Sequence, residues 1–224
     1  YGDARLSLKD GKGTTGLLLG IRADKIEQGV KIKLFPNNPI IAFQPFTLNE
    51  ENHITIHNAK DISADLRLTG KENASLWIHS EEEDQENEEV HVELSQINLA
   101  IISNALSYMP ALKGILNADF KYAPSDSSYM VVSDISIDDL YYERERVGEL
   151  QFNGVYLPLE QGSHQVDMHL FHDRNEISYL TAFYQSAERN SPDRIEGNIA
   201  FTHLPLSMLH AFIPEDMAKL HGDL

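Results

Sequence analysis

A mainly β chain, drawn out as an antiparallel meander, is predicted by three observations. Apolar residues alternate with polar ones over most of the 224 residues. Turn chemistry recurs at the spacing of about 8–12 residues expected of all-β chains. Helical apolar spacing is confined to two short segments, each stopped by a proline.

The alternation begins at Leu6 and Leu8 and returns at Val30, Ile32 and Leu34, then at Ile54 and Ile56. It continues through Ile62, Ala64, Leu66 and Leu68, through Val90, Val92 and Leu94, and through Val166, Met168 and Leu170. Period two gives each strand one apolar and one wet face. Asp10–Gly13, Pro36–Pro39, Asn49–Asn52, Gly70–Asn73, Pro124–Asp126, Gln161-Gly162 and Arg174-Asn175 read as the intervening turns. The count is roughly fourteen strands, with connections too short for parallel crossovers. Asn153-Gly154 reads as a tight hairpin or a bulge.

The two helical segments are Asn98–Met109, before Pro110, and Leu206–Ile213, before Pro214. They expose a repeat: Leu99 and Leu204 lie 105 residues apart, and the two prolines 104. Both prolines are followed by a Leu- or Lys-rich stretch with glycine, Leu112–Leu116 and Lys219–Leu224, and the polar runs Glu81–Glu89 and Ser186–Asp193 keep nearly the same offset. Three units follow from this: residues 1–96, residues 97–201 opening with a helix, and residues 202–224 as the start of a truncated third. The logic is that of stacked repeats, with short helices at the junctions. A start at Tyr1 and a stop at Leu224 in what reads as mid-strand predict a piece of a larger chain.

Composition excludes several functions. Eighteen basic residues against 35 acidic ones, a net charge of −17, argue against a nucleic-acid partner, which needs clustered Lys and Arg. With no cysteine there is no thiolate nucleophile and no Cys-zinc site. Glu81–Glu89 lacks the glycine and ligand spacing of a calcium loop, and predicts a solvated hairpin loop. His53 and His57 share a strand face but stand roughly 13 Å apart at ~3.3 Å per residue, too far for one zinc ion. Asp134, Asp138 and Asp139 form the nearest thing to a glycosidase pair, without framing aromatics. No nucleophile elbow or phosphate loop occurs, so the chain reads as a non-enzyme without metal or cofactor. Trp77, Phe152, Tyr156, Phe171, Tyr179, Phe183, Tyr184 and Phe201 could instead serve a carbohydrate-binding β-sandwich.

A sheet of this length cannot stay flat. Its apolar faces must be covered, either by folding over as a sandwich or by curling into a trough filled by other molecules. Patterning leaves both open. The trough would be lined by Ile54, Ile56, Ile62, Leu66, Leu68, Val166, Met168 and Leu170.

Three stretches carry a resemblance to a known family. They are Pro45–Leu48 with Leu66–Gly70, the segment Ile97–Tyr122 repeated from His203 to Leu224, and Ile135–Tyr142 followed by Val147–Phe152. From Pro45 onward the chain resembles the AsmA-like superfamily, and within it the TamB-type translocation and assembly proteins of diderm bacteria. The resemblance implies a taco-like β-groove, apolar inside, in a periplasmic protein anchored in the inner membrane. It implies phospholipid acyl chains as cargo, outer-membrane β-barrel assembly proteins as partners, and no catalytic residue.

Overall fold

The computed structural model describes residues 2–57, 61–81, 88–106, 108–124, 128–159, 162–186 and 192–205. The strands in chain order are β1 (Gly2–Lys9), β2 (Thr15–Ile26), β3 (Gly29–Ile41), β4 (Gln44–Pro45), β5 (Thr47–Leu48), β6 (His53–His57), β7 (Asp61–Thr69), β8 (Ser75–Ser80) and β9 (Val90–Asn98). Helix α1 (Leu99–Ala105) follows. The chain continues with β10 (Leu112–Pro124), β11 (Tyr129–Tyr142), β12 (Glu145–Pro158), β13 (His164–His172), β14 (Asn175–Gln185) and β15 (Arg194–Phe201).

All fifteen strands belong to one antiparallel sheet. Thirteen of them stand side by side in chain order, as short connections demand. The two-residue strands β4 and β5 leave this path, pairing with β3 and β7, and β3 passes directly to β6. β1 and β15 do not pair with each other, so the sheet is open. The geometry is that of a curled groove, with no second sheet packed on it among the described residues. The division between residues 96 and 97 falls inside β9, where its pairing with β10 shifts register.

Turns form where side chains can satisfy the backbone. The Asp10 carboxylate accepts from the amides of Lys12 (2.9 Å) and Thr14 (2.8 Å). Pro36–Pro39 behaves differently from the turn expected there. β3 runs through it: Gly20 faces Phe35 and Leu18 faces Ile40, so the four residues leave the pairing as a bulge and the strand resumes on the same partner. Asn153-Gly154 is likewise neither hairpin nor bulge but lies in mid-β12. There a Cβ on Gly154 would meet Ser133 Oγ at 2.8 Å, so close strand contact accounts for the glycine.

The first predicted helix is shorter than its sequence pattern. Asn98 caps it by accepting from the Ala100 amide (3.0 Å), but the helix ends at Ala105 rather than Met109. Its buried Ser103 hydroxyl donates to the Leu112 carbonyl (3.2 Å), tying the short helix to the start of β10. Tyr108 beyond it is 82% exposed, so that part of the apolar spacing finds no core to bury against. The second predicted helix, Leu206–Ile213, lies outside the described residues. So do most of the acidic run, residues 82–87, and of the polar run at 187–191.

Both clusters of buried core residues lie toward the end of the strands that carries α1. One cluster is Leu48, Leu66 and Leu68, packed by Leu34, Ile41, Phe46, Ile54, Leu76 and Ile78. The other is Leu140, Val147 and Leu150 with Leu99, Ile137, Tyr142 and Phe152. Each fully buried leucine or valine contributes roughly 1.5–3 kcal/mol.

Two asparagines splice the β4–β5 lobe onto the sheet. Buried Asn52 accepts from the Leu34 amide (2.8 Å) and donates to the Asn49 carbonyl (3.0 Å). Asn49 accepts from the Arg67 amide (2.9 Å) and donates to the Asp65 carbonyl (3.2 Å). Removing the Asn52 amide orphans the Leu34 N–H, so Asn52→Ala should lower stability by about 1–3 kcal/mol. Urea unfolding measures this, and an unchanged midpoint would mean that the lobe is not held by this splice.

Candidate functional site

Strand register sorts every side chain onto one of two faces, because directly paired residues of an antiparallel ladder point the same way. One row runs Leu68, Leu76, Leu94, Ala118, Ile135, Phe152 and Leu170, from β7 to β13. The neighbouring row runs Leu66, Ile78, Val92, Phe120, Ser133, Gly154, Met168, Leu180 and Ile199. A bulge at Gln96, at φ 53°, changes the parity of β9 and brings Ile97 opposite Leu116 on this same face. The result is one apolar face across the sheet.

All eight residues named from the alternation stand on it. Ile54 faces Ala64 and Ile56 faces Ile62, which places them with Leu66 and Leu68. Val166, Met168 and Leu170 join through the pairs with Tyr156, Gly154 and Phe152. Their burial differs sharply. Leu66 is 2% exposed and Leu68 3%, under the β4–β5 lobe, whereas Met168 is 41% exposed and Val166 and Leu170 are half-buried. Toward the two edges the face is bare: Leu6, Leu8, Ile195, Ile199 and Phe201 are all more than half exposed.

The opposite face is polar. Arg67, Trp77, Glu93, Asp119, Asp134, Asn153 and His169 lie opposite one another in sequence across β7 to β13. Arg67 sits 5.3 Å over the Trp77 ring. His79 Nε2 lies 3.1 Å from the Glu93 carboxylate and His91 Nδ1 3.6 Å from that of Asp119, beside the directly paired Glu93 and Asp119. Glu81, Glu89 and His91 bring ligand atoms within 4.8 Å of one another. Lys121 bonds Glu89 there and already supplies a cation to the cluster. His53 lies with this polar set, opposite Asp65. Asp139, at a bulge in β11, pairs with Arg146 (2.8 Å) instead of meeting Asp134 across a cleft. The eight candidate sugar-stacking aromatics divide evenly: Trp77, Phe171, Tyr179 and Phe183 on the polar face, and Phe152, Tyr156, Tyr184 and Phe201 on the apolar one.

Sequence reasoning missed two features of the apolar face. The first is a rail of rings at the end of the sheet away from α1: Tyr122, Tyr129, Tyr156, His164 and Tyr184. Successive centroids lie 5.4, 6.0, 5.8 and 5.6 Å apart across β10 to β14. Tyr156 Oη and His164 Nδ1 are 2.9 Å apart. The second is a cavity of about 320 Å³ at the α1 end, beneath the β4–β5 lobe. Phe46, Leu68, Leu76, Ile101, Ile102 and Leu116 line it, and Gln44, Lys71, Glu72, Gln96 and Asn98 complete its wall.

Burial raises the Tyr122 phenol above its ordinary 10.0. The hydrogen bond with Tyr129, and then burial, raises Tyr156 in the same sense. Both of these phenols are therefore held in the protonated, hydrogen-bonding form. Because these folded pKa values exceed the unfolded ones, their contribution to stability is complete below about pH 10 and declines as pH rises through the folded values. Ultraviolet titration of the folded protein should show a late phenol ionisation that Tyr122→Phe and Tyr156→Phe each diminish and that denaturant abolishes. A titration left unchanged by both substitutions would contradict the raised values.

No family model, curated protein or solved structure matches this chain, so its own geometry carries the functional assignment.

Proposed function

We propose that this sheet is a non-enzymatic, lipid-accommodating segment of an AsmA-like, TamB-type envelope protein. The single observation that carries the reading is the apolar face, continuous in register from β7 to β14 and without a second layer among the described residues. A face of this extent exposed to water marks an interaction surface. Curled with that face inward, the sheet offers phospholipid acyl chains a path that spares them contact with water. Such a segment belongs in the periplasm, within a parent anchored in the inner membrane, moving lipid between inner and outer membranes and supporting outer-membrane assembly. The acidic balance of the chain keeps the polar face solvated.

A second role is favoured by the β1 edge. All eight of its residues are exposed and it pairs only with β2 among the described residues. Such an edge can add a strand from a partner, and an outer-membrane β-barrel assembly protein fits that mode.

Native mass spectrometry of the protein purified from bacterial membranes should find copurified phospholipid. Leu170→Asp places a charge on the half-buried part of the face, and the protein should stay folded but lose the lipid. Leu66→Asp should unfold instead, because an unpaired carboxylate in its packed cluster costs several kcal/mol. A folded Leu170→Asp protein that retains lipid at the wild-type level would overturn the groove reading.

A further inference from the structure

We propose that a phospholipid lies on this sheet along the strand direction, with its head at the tyrosine rail and its chain end in the cavity under α1. This rests on the groove reading and adds a seat and an orientation to it. Strand β10 links the two features: it contributes Tyr122 to the rail and Leu116 to the cavity. Ala118 and Phe120 lie between them on the same face. Six residues of strand span about 20 Å at ~3.3 Å per residue. One leaflet's acyl layer is about 15 Å, half of a ~30 Å hydrocarbon core. The distance from rail to cavity therefore suits a single acyl chain stretched across the strand, with its methyl end inside the cavity.

The chemistry at each end matches. The cavity is walled largely by aliphatic side chains and roofed by the lobe and by Ile101 and Ile102 of α1. Its roughly 320 Å³ is about twice the ~150 Å³ apolar cavity that takes one benzene ring, enough for the terminal part of a chain and too small for a head group with its water. The rail offers phenol hydroxyls and an imidazole, groups with an apolar body and a polar tip that suit a lipid–water boundary. It contains no Lys or Arg, and the chain as a whole carries a net charge of −17. Those two facts favour a zwitterionic head over an anionic one. The occupant is a zwitterionic lipid of the phosphocholine or phosphoethanolamine type.

The test uses lysophosphatidylcholine with a chain of about sixteen carbons, near the length of one leaflet, carrying a diazirine at either its methyl end or near its carbonyl. After irradiation, peptide mass spectrometry maps the labels. The methyl-end probe should label residues 94–102 and 116 together with the lobe, and the carbonyl-end probe the peptides of Tyr122, Tyr129 and Tyr156. Ile102→Trp, which fills the cavity, should lower the methyl-end label there severalfold and leave the rail label unchanged. The wild-type comparison of the two probes decides the orientation even if that variant fails to fold. An anionic analogue with the same chain should label more weakly at both sites. Methyl-end labels concentrated at Val166–Leu170, or spread evenly over the apolar face, would overturn the proposed seat while leaving the groove reading in place. Absence of specific labelling from either probe would overturn both.

Discussion

One constraint governs the rest of this structure: a single open sheet presents an entire apolar face, and the described residues supply no second layer to cover it. A β-sheet ordinarily buries its hydrophobic side against a helix layer or another sheet. Here the apolar rows of β7 to β14 meet only local cover among the described residues, from the β4–β5 lobe and from α1. Leu66 and Leu68 are buried for that reason, and Met168 is not. The same alternation thus yields dry core at one end and an accessible surface elsewhere.

The two ends of the strands answer this constraint differently. At the α1 end, bulges and small local elements build walls: the Gln96 bulge turns Ile97 inward, and Ser103 fastens the helix to β10. At the other end the face finishes in rings with polar tips, spaced like the strands that carry them. A surface that is apolar in the middle, enclosed at one margin and amphipathic at the other has the polarity profile of one lipid leaflet laid along a strand. On the opposite face polar contacts are made locally, between His79 and Glu93, His91 and Asp119, and Lys121 and Glu89.

Much of this was legible in the sequence, because period two is a direct consequence of strand geometry. Runs such as Ile62–Leu68 and Val166–Leu170 fix both the strand and the face on which each side chain stands. The short connections fix the antiparallel order. What the sequence did not reveal depends on contacts between strands. Pro36–Pro39 has the composition of a turn, and only the pairing of Gly20 with Phe35 and Leu18 with Ile40 makes it a bulge. Tyr122, Tyr129, Tyr156, His164 and Tyr184 have no regular spacing along the chain, since hairpins of different length separate them, and register alone brings their rings together. Leu66 and Leu170 carry the same local pattern, and the lobe that covers one and not the other is remote in sequence from both.

The accessibility of the apolar face to lipid is the central claim, and electron paramagnetic resonance tests it most directly. Nitroxides would be placed singly at Val166, Met168 and Leu180 on the apolar face, and at Asp167, His169 and Thr181 on the polar face. Each would be measured with and without phosphatidylcholine. The account predicts that lipid shifts the first set to an apolar environment shielded from a water-soluble relaxation agent, while the second set stays in water. Equal exposure of both sets to the aqueous agent, unchanged by lipid, would contradict it.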